Sequence, residues 1–380
     1  MTRHNFLLSL AVLLLAAGCT GAGKQQGGSY IFPDAPGDQT SGEPVLSEDP
    51  SAEEPSADEP SSGDPAPEGL CEFSQAIADQ GWKLQEYKTI PDGIDIFRSP
   101  DKLLGKPEIA YIAVADLSKV RFDVWCIKDV GTQGTSEAFK TPSKVYEDGK
   151  WPVIINAGFF FADGGKYYSA SLAISNSELL STNINYASQD WVTVWYPTRG
   201  ALLEDASGSI QTCWTYFISA NSHYMYQNPA DNSWDKDPLK TPSASFPEKA
   251  SKVKAVTGIG GGPVLLKDGE IRNTYVQELF NGPSGILCEE EHPRTAIGVS
   301  PDDKYMVLFV CEGRQMTSGV QGLTHADLAQ VMLDLGCGDA LNLDGGGSTC
   351  MLIDGQETIK PSDGHQRAVA STVMLSAIDD

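Results

Sequence analysis

The segment Asn342-Leu343-Asp344-Gly345-Gly346-Gly347-Ser348 constrains this chain more than any other. An apolar run, Asp339-Ala340-Leu341, leads into it, and a second, Cys350-Met351-Leu352-Ile353, leaves it. The pattern predicts a strand, a glycine hinge and another strand. Glycine reaches backbone angles that other residues avoid and puts no side chain in the way of an approaching group. An acid set just before three glycines can therefore face a ligand directly. A second cluster, Gly258-Ile259-Gly260-Gly261-Gly262-Pro263, lies between the apolar runs Val253–Val256 and Val264–Leu266. Either cluster alone reads equally well as a tight turn or bulge. Together, with an acid in one, they point to a site for a polar ligand.

Alternating and β-branched runs dominate the chain from Leu70 onward. Ile109–Ala115 and Val120–Ile127 read as paired strands across Asp116-Leu117-Ser118-Lys119. Trp151–Ile155, Ser169–Ile174, Glu178–Ser181, Trp191–Tyr196 and Ala201–Leu203 read as further strands. Arg294–Val299 and Tyr305–Val310 flank the turn residues Ser300-Pro301-Asp302-Asp303. Residues 220–250 are polar and aromatic with scattered Pro, Asn and Asp, and read as a long loop. Helices are few: Cys71–Asp79, Ser143–Asp148 and, most clearly, His325–Leu335. Thr324 is suited to cap the last of these, Asp327 sits where an acid completes a capping box, and Gly336 ends it. Ala326, Leu328, Ala329, Met332 and Leu333 would form its buried face. The expected fold is α+β: strand-rich mixed sheets, a few packed helices, and glycine-rich loops forming the site.

The N-terminal part has a different character. Arg3 and His4 precede an apolar run from Phe6 to Ala17, then Gly18-Cys19. A basic start, a short apolar core and small residues before a cysteine predict a lipoprotein signal over 1–18, cleaved before a lipidated Cys19. Residues 19–69 then form an acidic, proline-rich tether, expected to be disordered. From Pro33 to Glu68 it has no Lys or Arg and carries close to half of the net charge of −24. That balance disfavours nucleic acid as a partner, and none is expected, because binding to phosphate backbones needs an excess of Lys and Arg. An exported protein anchored to a membrane by lipid is the expectation, with one folded domain over 70–380. Of eight cysteines, seven follow Cys19, none in a CxxC pair. A structural zinc site is therefore not expected.

Four segments taken in order carry a resemblance. They are Asn156-Ala157-Gly158-Phe159-Phe160, Gly258–Pro263, Arg294-Thr295-Ala296-Ile297-Gly298, and Glu312-Gly313-Arg314 leading through Thr324 to Asn342–Ser348. This set resembles the phosphodiester glycosidase family, over most of the chain from about Gly81 onward and most specifically from Arg294 to Ser348. The resemblance implies hydrolysis of a sugar 1-phosphodiester, such as one of N-acetylglucosamine, to free sugar and a phosphomonoester.

The residues are compatible with that chemistry. Arg294 and Arg314 would offer planar donors to phosphate oxygens. Backbone N–H groups at Gly261, Gly262, Gly345 and Gly346 could add to them. Asp344 would face the anomeric carbon as nucleophile or as base for water, with Asp327 or Glu312 as a second carboxylate. Asn156 and Asn342 could hold sugar hydroxyls or orient a carboxylate. His325 is either a site residue or an exposed residue of the first helical turn. The family more often has Glu where this chain has Asp327. A catalytic acid at that position would act from a different distance here, whereas a capping acid would be almost unaffected.

No cofactor is expected. Asp344, Asn342, Glu312 and Asp327 are hard oxygen ligands suited to a divalent cation, yet no spacing forms a dedicated metal loop. Two other readings stand beside the hydrolase. One is a carbohydrate- or phosphate-binding surface protein without turnover, since fold does not fix function. The other is a metal-dependent phosphodiesterase that cuts P–O instead of C–O.

Overall fold

The computed structural model describes residues 69–378. The signal, Cys19 and the tether up to residue 68 lie outside the described residues. Three large sheets are built from short strands, with helices α1 (Glu72–Asp79), α2 (Pro142–Gly149) and α3 (His325–Asp334). No described helix is long and apolar enough to cross a membrane.

The first sheet has eight strands. In spatial order they are Lys83–Gln85, Ile94–Arg98, Ala110–Asp116, Tyr305–Cys311, Arg294–Val299, Asp339–Asn342, Val264–Lys267 and Glu270–Ile271. Its central strands alternate strictly between two cores. Val307, Phe309 and Cys311 pack with Leu328, Ala329 and Met332 of α3, whereas Met306, Leu308 and Val310 face the other sheets. A strand buried on both faces reads as a continuous apolar run, which is how Tyr305–Cys311 stands out in sequence.

The second sheet runs from Glu178–Ser181 through Ala173–Ser175, Thr257–Gly260, Arg199–Glu204, Ile210–Ser219 and Ser222–Tyr226 to Ser251–Lys252. The third orders Gln356–Glu357, Met351–Ile353, Val153–Asn156, Ser371–Ala377 and Val120–Cys126. Strand pairs in all three sheets are antiparallel, which corrects the expectation of mixed sheets. The physical reason lies in the connections. Turns such as Asp205–Ser209 and Ser300–Lys304 are too short for the crossover that a parallel pair needs, whereas Asp116–Lys119, expected to join a strand pair, carries the chain from the first sheet to the third.

Several local expectations change. Trp191–Tyr196 is not a strand; only one bridge, Ala187 to Trp195, forms there. Val253–Val256 is irregular, and the glycine-containing run Thr257–Gly260 is itself the strand. Its glycines serve packing: a Cβ on Gly258 would meet Leu203 at 2.6 Å, and one on Gly260 would meet the Leu172 nitrogen at 2.5 Å. Ile210–Ser219, a ten-residue strand, lay unread in the sequence. Helix α3 keeps its Thr324–Asp327 capping box, but its buried stripe is His325, Leu328, Ala329, Val331 and Met332. Ala326 is exposed, so the polar His325 takes a core position. The seven described cysteines are all free.

Candidate active site

The hinge after Asp339–Asn342 opens into a cavity of about 270 Å³. Its floor is Asn342 to Gly347, its apolar wall Phe159 and Phe160, and its far wall Ser284 to Leu287. His292, Arg294, Arg314 and Arg367 complete the lining. Among the described lining residues, Asp344 is the only carboxylate.

The backbone around Asp344 is held from several sides. Leu343 N–H donates to the Thr295 carbonyl at 2.9 Å, Asp344 N–H to that of Ala157 at 2.8 Å, and Gly346 N–H to that of Pro293 at 2.9 Å. Asn156, fully buried at the end of its strand, donates its side-chain amide to the Asp344 carbonyl at 2.6 Å. Its Oδ1 accepts from the Thr295 hydroxyl at 2.8 Å and from Cys350 N–H at 3.1 Å. Asn156 thus ties three segments to the acid-bearing turn.

Asp344 is half-buried and lies in the protein-lined floor of the cavity. Burial raises its pKa from the ordinary 3.8 to about 6, against the opposing pull of the Ser348 hydroxyl, Arg367, the Gly345 N–H and Arg314. A carboxylate tuned toward neutrality can take or hold a proton near neutral pH.

The glycines at the hinge have separate reasons. Gly346 adopts φ +58°, and a Cβ there would lie 2.8 Å from Arg314 Nη2. A Cβ on Gly347 would lie 2.2 Å from Arg367 Nη2 and 2.3 Å from both Asp363 carboxylate oxygens. The hinge is bare so that two guanidinium groups can close over it. Arg367 is oriented by Asp363, with Nε at 2.9 Å and Nη2 at 2.7 Å, and its Nη1 is 3.4 Å from the Ser348 hydroxyl. Arg314 is exposed and makes only long contacts, 3.4 Å to His292 Nδ1 and 3.4 Å to the Ser362 hydroxyl. An anion entering above Gly346 and Gly347 meets two cations whose donors are weakly engaged or presented by a partner.

A family profile for phosphodiester glycosidase matches residues 150–376, more than half of the chain and all of this cavity. The chain belongs to the phosphodiester glycosidase family. Among solved structures, the zebrafish N-acetylglucosamine-1-phosphodiester alpha-N-acetylglucosaminidase catalytic domain is similar, with 19% identity and a TM-score of 0.50. That match covers 77% of this chain and 87% of that one, and at this identity it speaks for the fold. A hypothetical protein from Synechocystis aligns at 17% identity and a TM-score of 0.48, over 78% of this chain and 68% of that one. A prophage-derived uncharacterized protein of Bacillus subtilis, YomE, is 39% identical over 90 residues, 24% of this chain and only 14% of that protein.

Within this phosphodiester glycosidase fold the remaining candidates fall in different places. Arg294 lines the cavity, but its guanidinium is turned onto protein acceptors. Nε donates to the Leu323 carbonyl at 2.8 Å, and Nη2 to those of Leu287 at 2.8 Å and Glu290 at 2.7 Å. Nη1 reaches His325 Nε2 at 3.0 Å and the Ile286 carbonyl at 3.5 Å. Burial lowers its pKa to about 10. Arg294 therefore builds the wall from Ile286 to Glu290, with no guanidinium edge left for phosphate. Its contact also sets the tautomer of His325, whose Nε2 accepts from the guanidinium. Burial and Arg294 push the His325 pKa well below 6.5, so the ring is neutral. Asn342 donates to the carbonyls of Gly262 and Leu343, both at 2.8 Å.

Asp327 and Glu312 do not reach this cavity. Asp327 accepts from Thr324 N–H at 3.0 Å and pairs with Lys106 at 2.7 Å. Burial pushes its pKa up, but the bonds from Lys106 and Thr324 prevail and hold it below 3.8. Its geometry is that of the capping acid. Glu312 lines a separate hollow with Arg98, Tyr111, Glu357 and Lys360, and accepts from Lys360 N–H at 3.0 Å. Gly261 and Gly262 lie outside the cavity lining, their N–H groups bonded to the carbonyls of Gly200 at 3.1 Å and Asn342 at 2.8 Å. Arg367, Asp363 and His292 escaped the sequence reading. The spacing Asp363 to Arg367 after a Pro-Ser turn was the available signal, but without the fold nothing connects it to Gly347. No group of three or more His, Cys, Asp or Glu able to hold a metal occurs among the described residues.

Proposed function

We propose that the protein is a hydrolase that cleaves the glycosidic C–O bond of a sugar 1-phosphodiester. The observation that carries this reading is one tuned carboxylate, Asp344, on a glycine floor beneath Arg314 and Arg367. A phosphodiester bears one negative charge, and two guanidinium groups match its oxygens. With the diester held there, the sugar extends along Phe159 and Phe160, and Asp344 faces the anomeric carbon.

The chemistry asks little of a second carboxylate. As C1–O breaks, the electron pair leaves with the phosphate oxygen, giving a phosphomonoester that is stable as an anion. Asp344 supplies an electron pair at C1, directly or through a water that it deprotonates. The water oxygen ends on the sugar, and its protons are shared between sugar hydroxyl and solvent. Arg314 and Arg367 stabilise the charge that accumulates on the leaving phosphate. Asn156 and Arg294 are positioning residues: one fixes the Asp344 turn, the other fixes the opposite wall.

The test is turnover of α-N-acetylglucosamine 1-(methyl phosphate) in ¹⁸O-water, beside an Asp344→Asn control. Label in the anomeric hydroxyl, lost in the variant, is the expected result. Label in the phosphate would replace this reading with P–O cleavage. The signal over 1–18 and the predicted acylation of Cys19 extend the proposal to a membrane-anchored, exported enzyme. Cys19→Ser should move the protein from the membrane fraction to the soluble one; retention on the membrane would remove that part.

A further inference from the structure

Arg199 opens an interior strand of the second sheet, Arg199–Glu204, and is only 5% exposed. One face of its guanidinium lies on the Phe280 ring, with Cζ 4.2 Å from the ring centre. Nη1 donates to the Glu278 carbonyl. Nε is buried and has no partner among the described residues. A cation so placed normally pairs with a carboxylate, because burial strips it of water. Glu278 is the carboxylate that acts on it electrostatically, yet the Glu278 oxygens are engaged elsewhere. They accept from the Trp214 indole N–H at 3.1 Å, the Thr274 hydroxyl at 2.6 Å, Val264 N–H at 2.9 Å and Gly200 N–H at 2.6 Å. Burial raises the Glu278 pKa against the pull of these donors and of Arg199, which moves the carboxyl toward its neutral form. Burial lowers the Arg199 pKa only to about 10, so the guanidinium stays charged at neutral pH.

Arg199 lines a hollow of about 20 Å³ together with Ser188, Trp234, Leu279 and Ser284. Among the described lining residues it is the only charged one. A hollow of this size holds one occupant about as large as a water molecule. It adjoins the candidate active site. Ser284 lines both, and Phe280, beneath Arg199, packs on Phe159 of the cavity wall with ring centres 5.3 Å apart.

We propose that this hollow is a binding site for one halide-sized monoanion, chloride under ordinary salt conditions, held by Arg199 behind the catalytic wall. A water there would accept a hydrogen bond but leave the guanidinium charge unmatched. A halide supplies both the acceptor and the charge. Phosphate and carboxylate ligands are too large for the hollow, so this anion is separate from the phosphate of a substrate. The proposal stands apart from the hydrolase reading, because it does not depend on what the cavity cleaves.

Two measurements on the full chain test it. Crystals grown without halide and soaked in sodium bromide should show an anomalous bromide peak in the hollow beside Arg199, undiminished by added inorganic phosphate. Bromide confined to the surface, or displaced from the hollow by phosphate, overturns the proposal. In solution, urea unfolding is followed at constant ionic strength as chloride replaces gluconate. The unfolding equilibrium constant should fall about tenfold once chloride exceeds its Kd about tenfold, along a curve that saturates. No response, or one that never saturates, overturns the proposal. Arg199→Met keeps much of the side-chain volume and removes the charge, so the chloride response should vanish; an equal response in the variant overturns the role of Arg199. If the variant does not fold, the bromide peak and the parent titration decide alone.

Discussion

Replacing Asp344 with Asn is expected to abolish turnover and to make the protein more stable at neutral pH. The sign follows from linkage. The folded-state pKa of about 6 lies above the ordinary 3.8, so the folded state holds this proton more tightly than the unfolded chain. The stabilising contribution is complete below pH 3.8 and is lost as pH rises through about 6. At 1.36 kcal/mol per tenfold, that difference is worth about 3 kcal/mol. Because the side chain faces an open cavity, solvent screening reduces this to about 1–2 kcal/mol. Asn keeps the shape and one acceptor for Ser348 or Gly345 while removing the charge. Urea unfolding at about pH 8 should therefore show the variant more stable by about 1–2 kcal/mol, the gap closing toward about pH 4. A variant less stable than the parent at about pH 8, or a gap independent of pH, would refute the claim that the site holds this carboxylate ionised at a cost.

Four other outcomes follow from the same geometry. Activity should carry an acidic limb near pH 6, set by the Asp344 carboxylate, and fall about tenfold per pH unit below it; a pH–rate profile flat to pH 5 would contradict this. Gly347→Ala drives a Cβ to 2.2 Å from Arg367 Nη2, so kcat/KM on a sugar phosphodiester should drop about ten- to hundredfold while the melting temperature barely moves. Asp327→Ala removes a capping box and a Lys106 pair, and should cost about 1–2 kcal/mol in unfolding free energy with kcat within about twofold of the parent. Asn156→Ala leaves the Asp344 carbonyl, the Thr295 hydroxyl and Cys350 N–H without their partner, and should cost about 3 kcal/mol in denaturant unfolding.

Features governed by local pattern were legible in the sequence. The strands Arg294–Val299 and Tyr305–Cys311 alternate or run apolar, and α3 announces itself through Thr324, Asp327 and Gly336. The strand, hinge and strand around Asp344 were readable for the same reason, because apolar runs flank the three glycines on both sides. What failed was anything decided by distant contacts. Arg294 is suited in sequence to bind phosphate, yet four loop carbonyls and the His325 ring of α3 claim its guanidinium. Gly260 and Gly261 have the composition of an open loop, yet they lie against Leu172 and Asn342 at distances no Cβ tolerates. Arg367 belongs to the site only because Gly347 lets it pack across the hinge. His325, apparently on an exposed turn, is buried because Arg294 supplies the hydrogen bond that makes burial affordable.

The strand Ser371–Ala377 occupies an interior place in its sheet, between Val153–Asn156 and Val120–Cys126. Through Val153–Asn156 it supports the strand end from which Asn156 reaches the Asp344 carbonyl. Pairings so far apart along the chain form late, since loop closure must precede them. A nascent chain thus lacks a registered acid until this segment has emerged and inserted. The cavity floor therefore takes its final shape only when one of the last strands in the chain has found its place between two much earlier ones.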